Sequence, residues 1–474
     1  MNRDDQMPAD SKSGLPCESA PIFEEDKWRK AEPVDADRKD KCFAWLYLLV
    51  GYGFVYTFTS MNFGRHLVFF TIAYAAVVLA YVFLKGGRPG KESWFWLVIM
   101  LGIGVPYAFW SAMPFLQIPM LIVCAAYWTL IISGSLLEKD KTSQWVVFDG
   151  WNALLWVPFG NFGCSFRIVT GLHADHEESG DELEKRGRGK DIRYVLLGVV
   201  IAVPVLFIVL PLLSSADEGF QKMMQNSGLY IQDHLLYTIA RMILSLPVAA
   251  YLFGLIYGGI HKRNTDRMDK ESLRETWRSI QIVPTTAITT AMLIVCAIYL
   301  LFIGLQGKYL FSAFAGIRPE NFTYAEYARR GFFELCQTAA LNLVLLLGAN
   351  LFAGKKNTNS AVLRWLNVLL SVLTLLLILT AMSKMVLYIT AFGFTIKRVL
   401  TMVFMIWMAL VFTLVILRQW REFPMVRICV IAGAVLYCSL CVLPVERMVD
   451  SYDQRYFPEQ LWEESAIQNC RHLL

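Results

Sequence analysis

The chain has 474 residues, 56% of them hydrophobic and 18% charged, with a formal net charge of +5. Its apolar residues fall in long runs, which excludes an ordinary soluble domain, and they lack the alternating segments of about ten residues that mark a membrane β-barrel. Lys and Arg accumulate in the loops that a membrane protein keeps in the cytoplasm, so the positive charge implies the lipid bilayer as partner and no nucleic acid.

Residues 1–41 are polar and nearly free of aliphatics, the composition of a disordered cytoplasmic tail, with no apolar stretch that reads as a cleavable signal. The fold class predicted is an all-α integral membrane protein with about eleven transmembrane helices, each long enough for a hydrocarbon core of about 30 Å. A four-span bundle occupies 42–134, with spans at 42–60, 67–84, 94–110 and 115–134. The third is short, and Gly104, Pro106 and Tyr107 near its end predict a kink or an early exit.

A cytoplasmic loop, 135–192, contains the apolar segment 145–164, interrupted by Asp149, Asn152, Pro158 and Asn161. It reads as interfacial or re-entrant, with a surface-lying helix preferred, because a full crossing would place the basic run 185–193 outside. A seven-span region, 193–445, follows, with spans at 193–214, 236–260, 282–305, 332–353, 365–390, 398–417 and 428–445, and 446–474 forms a tail. Basic residues alternate between the loops so that the N-terminus lies inside and the tail is extracytoplasmic.

Six of the ten cysteines, including Cys124, Cys296 and Cys429, sit in apolar runs as small hydrophobes, and no disulfide or zinc spacing is present. The His173-x-Asp175-His176 cluster lies in a charged loop and reads as solvated. No Walker lysine loop, GxSxG or HExxH motif occurs, so neither a metal nor another cofactor is implied.

Charges inside spans are costly and therefore informative. Thr323 and Glu326 form a Thr-x-x-Glu capping box at the start of a helix that runs into the eighth span and carries Glu334. At about 100° per residue, Tyr324, Tyr327, Arg330, Glu334, Gln337 and Asn342 share one arc, expected to face the bundle interior. Arg330 stands four residues before Glu334 as a local ion-pair partner. Arg241 and Lys384 lie within the sixth and ninth spans at similar depth. Together with Tyr388 they complete a candidate polar site opening outward. Asp217, Tyr324, Glu326, Tyr327 and Arg329 form an outer-interface motif beside it, and Gly393 and Thr395 predict a turn and the cap of the tenth span.

Three pieces of sequence, SADEGF at 215–220, TYAEYARRGFFEL at 323–335 and YITAFGFTIKR at 388–398, are similar to the bacterial membrane family catalogued as domain-of-unknown-function family 4173, with its relative, family 4153. The resemblance covers about 205–420, with Phe394 where Leu is expected. It implies the bacterial cytoplasmic membrane and supplies no catalytic residues. The leading expectation is binding or transport of an anionic small molecule or lipid headgroup at the polar site. The alternatives are a scaffold or envelope sensor whose charges are structural, and an envelope-modifying transferase, for which no nucleophile is apparent. Oligomeric state is left open.

Overall fold

The computed structural model describes residues 36–110, 113–138, 141–169, 233–265, 283–311, 324–352 and 361–456, with 275 and 279. The described residues are helical almost throughout. Helix α1 (Arg38–Thr59) starts at a capping box in which Asp37 and Asp40 each accept from the other's end of the first turn. Then follow α2 (Phe63–Leu84), α3 (Lys91–Gly104) with a 3₁₀ turn at Pro106–Ala108, and α4 (Pro114–Ile132). Where a kink or an early exit of the third span is predicted, the helix ends at Gly104. At 1.5 Å per residue α3 covers only about 21 Å before Pro106 tightens the chain.

The segment predicted as interfacial or re-entrant is a broken helix: α5 (Val146–Trp151), a π turn (Asn152–Trp156), α6 (Val157–Gly160) and α7 (Phe162–Val169). Its polarity is inverted. Asp149, Asn152, Asn161 and Ser165 are buried against protein, while Trp151, Trp156, Phe159, Phe162 and Phe166 are exposed. An aromatic outer face with a polar inner one suits lipid on the outside.

The remaining helices are α8 (Asp233–Ile260), α9 (Thr285–Phe311), α10 (Tyr324–Phe352), α11 (Ala361–Phe392), α12 (Ile396–Arg418), α13 (Met425–Val442) and α14 (Val445–Tyr456). Among the described residues nine helices are long and apolar enough to cross a membrane, and each coincides with one of the predicted spans. The third prediction is too short to count among them, and the fifth, 193–214, lies outside the described residues. The chain is a multi-pass membrane protein.

Two cores organise these helices. The first gathers α1–α4 and the 146–169 segment around Tyr47, Tyr81, Trp128 and Phe253. Helix α8 belongs to it, although in sequence it falls within the 193–445 region. It crosses α1 where Gly51 brings the backbones together, since a Cβ there would stand 2.7 Å from Ala249 Cβ and from the Ser245 carbonyl oxygen. Gly254 and Gly258 do the same for α6, meeting Pro158 and Asn161. The second core is built by α9–α12 around Phe332, Leu370, Ile378, Met405 and Phe412. Helix α13 packs on α3 of the first group and on α12 of the second.

The chain reverses between α11 and α12 at Gly393, whose φ of +74° only glycine adopts without strain. Thr395 then caps α12 by accepting from the Arg398 amide, as expected. Helix α14 folds back over this turn. Its Asp453 accepts from the Phe394 amide at 2.8 Å, and Tyr452 packs edge-on against Phe394.

Candidate functional site

The buried lysine of the second bundle is the most costly side chain in that core. Lys384 is 1% exposed on α11, among Ile378, Ala381, Met385 and Ile389. A lone ammonium in such surroundings would carry a desolvation penalty of several kcal/mol, which a counter-charge offsets. Glu334, on α10, is its Coulombic partner. Of the three charges expected to converge, Arg241, Glu334 and Lys384, only Glu334 and Lys384 are electrostatic neighbours across two helices.

Depth along α10 decides what its polar residues do. Asn342 is fully buried, accepts from Tyr299 of α9 at 2.8 Å and donates to Thr374 of α11 at 2.9 Å. Thr374 passes its own proton to the Leu370 carbonyl, and the string ties three helices together. Glu334 and Gln337, in contrast, are exposed. The expectation that the whole arc faces inward is corrected here: Phe332, Leu335 and Ala339 take the buried face, and the upper part of the stripe turns to the open side. A 100° periodicity places residues on a common face but does not say which neighbour that face meets.

One turn beyond Lys384, Tyr388 lies under the Arg398 guanidinium, 4.0 Å from its ring centroid, and Arg398 also donates to the carbonyls of Phe392 and Gly393. Arg241 is placed elsewhere. It donates to the Thr59 hydroxyl at 2.8 Å and the Thr59 carbonyl at 3.1 Å and stands over Tyr56, which attaches it to the end of α1 in the first bundle. Tyr324, Glu326, Tyr327, Arg329 and Arg330 fall in the first two turns of α10, where the described structure is backbone only. Asp217, Thr323 and the His173 cluster lie outside the described residues.

A second ionic cluster escaped sequence reasoning. Asp40, 0% exposed in the first turn of α1, accepts from the Tyr81 hydroxyl at 2.6 Å and the Asp37 amide at 3.0 Å, with Lys85 at 2.8 Å and His261 at 3.5 Å. It joins α1, the end of α2 and the turn after α8. Its signal was present as the capping pattern Asp-x-x-Asp, but the charged string DADRKDK reads as solvent-exposed. Asp149 is another buried carboxyl, held by neutral donors. It is 1% exposed and accepts from Leu137 at 3.0 Å and from Ser143 at 2.5 Å, and burial pushes its carboxyl above the ordinary value. Among the described residues no group of three His, Cys, Asp or Glu could hold a metal ion.

Comparison with curated proteins and with solved structures finds no match. Residues 97–457 match the family described as "Domain of unknown function (DUF4153)". This is the relative of the family suggested by the motifs, and the match reaches further in both directions than the resemblance over 205–420, from within α3 to the end of α14. Covering most of the chain, it shows that this multi-pass membrane protein belongs to the DUF4153 family.

Proposed function

We propose that this protein binds an anionic group, a small molecule or a lipid headgroup, at Lys384, with Glu334 as the counter-charge that the ligand displaces or joins. The observation that supports the reading is a fully buried ammonium held by a carboxylate on the exposed side of a neighbouring helix. An ionisable group inside a span is a functional-site hypothesis by default. In this reading the protein sits in the bacterial cytoplasmic membrane with the N-terminus inside, and the Gly393 turn and α14 on the outer side near the site.

The test uses full-length protein in detergent micelles and inorganic phosphate or phosphatidylglycerol as probe, with thermal unfolding as readout. Stabilisation by the probe, absent with phosphatidylcholine and abolished by Lys384→Met, supports the reading. A scaffold role is the second reading, favoured by the Tyr299–Asn342–Thr374 string. It predicts that Lys384→Met and Glu334→Gln only reduce the amount of folded protein, and that no anion changes wild-type stability.

A further inference from the structure

Between the two bundles lies a cavity of about 740 Å³, a volume typical of sites for small amphiphiles. Its walls come from α3, α4 and the 146–155 segment on one side and from α12 and α13 on the other, and they are almost wholly apolar. It is separate from Lys384, which does not line it. The lips are exposed: Met120, Val123, Val147 and Trp151 on one side, Phe404 on the other. Since the walls include membrane-crossing helices, the exposed lips open onto bilayer lipid.

Three features identify the occupant. The first is length. Along α4 the lining runs from Leu116 to Tyr127, about 16 Å of helix and so roughly half of a 30 Å hydrocarbon core, the reach of one leaflet. The second is polarity at one end. The Tyr127 hydroxyl is buried in a largely apolar wall, with Asp149, Thr142, Glu92 and Arg427 in its electrostatic neighbourhood. The third is charge. Arg427, paired with Glu92, stands one turn beyond Val430 and keeps 31% of its side chain exposed, so donors of its fork remain for another anion.

We infer that this cavity holds one acyl chain of a bilayer phospholipid, its ester carbonyl at the Tyr127 hydroxyl and its phosphate beside Arg427. The chain runs along α13 toward Leu440. The Tyr437 hydroxyl, also buried, lies on the same wall further along with the Cys441 thiol beside it. A resident lipid would replace missing contact between the bundles.

The probe is a phosphatidylcholine carrying a photoactivatable diazirine at mid-chain, in vesicles of equal parts phosphatidylcholine and phosphatidylglycerol containing the full-length protein. After irradiation, labelled peptides are mapped. Label is expected on α4 near Val123, on α12 near Phe404 and on α13 near Ala434, above the level on the outward face of α9. Ala434→Trp or Val403→Trp, each adding an indole to the lining, should lower it at least about fivefold. Val435→Trp, on the exposed side of α13, should leave it unchanged. Equal labelling in wild type and both filled variants overturns the proposal, as does label on these segments no higher than on α9. Protection without label, together with a disulfide between copies through Val123→Cys, would make the occupant a second copy and also overturn it. Should both filled variants fail to fold, the wild-type ratio of cavity to α9 label decides.

Discussion

Replacing Asp40 tests whether the ionic knot at the start of α1 holds the first bundle. Its carboxylate is fully buried and meets four donors between 2.6 and 3.5 Å. Asp40→Asn keeps the volume and one acceptor oxygen but turns an amide toward donors, so the ion pair with Lys85 is lost. Breaking a buried pair by removing one member costs about 3–5 kcal/mol. Lys85, with 16% of its side chain exposed, can swing its ammonium into water and recover part of this, which leaves roughly 2–4 kcal/mol. Adding Lys85→Met removes the stranded charge, so the double variant should lose less than the sum of the singles, by about 1–3 kcal/mol. Buried cysteines supply the assay. Cys124, Cys164 and Cys441 lie in the first core, so their labelling by a thiol reagent across a denaturant series in mixed micelles reports its opening. A loss below about 0.5 kcal/mol for Asp40→Asn, or strict additivity in the cycle, would refute the argument.

Gly51→Ala forces α1 from α8, because the new methyl would stand 2.7 Å from backbone and side chain alike; a cost of about 1–3 kcal/mol is expected in the same assay. Gly53→Ala, whose methyl would meet only Phe70 at 3.6 Å, should stay within about 0.5 kcal/mol. Asp453→Ala removes the acceptor of the Phe394 amide; hydrogen exchange at the α11–α12 turn should accelerate, with about 1 kcal/mol lost. The raised pKa of Asp149 means the folded chain holds that proton more tightly than the unfolded one. Its stabilising contribution is complete below the ordinary carboxylate range and fades as pH rises through the raised value. Wild-type stability relative to Asp149→Asn should therefore fall from acid toward neutral pH, and a flat difference in unfolding midpoint would contradict this.

Much of the fold was legible because the bilayer imposes a length on every apolar run. Gly393 and Thr395 were equally readable, since a positive φ and a helix cap depend on local chemistry alone. Lys384 and Glu334 were found because charge within a span is rare. Helix facing was not legible. Asn342 looks inward and Glu334 outward, and that difference comes from how α10 seats on α9 and α11. Arg241 has the same lesson: its depth was inferred from span boundaries, but its partner Thr59 lies 182 residues away in another bundle. Asp40 was hidden because Tyr81 and His261, which bury it, come from other helices far along the chain.

The way α13 is fastened explains why a cavity exists at all. At one end Arg427 pairs with Glu92 of α3. At the other, Trp110 donates to the Cys441 carbonyl at 3.1 Å, and Cys438 sits so close to Gly102 that a Cβ there would stand 2.4 Å from its sulfur. On its opposite side α13 is held by Trp407, which donates to the Cys429 carbonyl at 3.0 Å. Each fastening uses a polar group or a glycine, and none requires α4 and α12 to approach each other. Within a bilayer no hydrophobic force drives that gap shut, since lipid wets Leu and Val as well as another helix does. A seam pinned along one edge and left apolar along the other is therefore stable open, and it stays a place where lipid enters between two bundles that have separate cores.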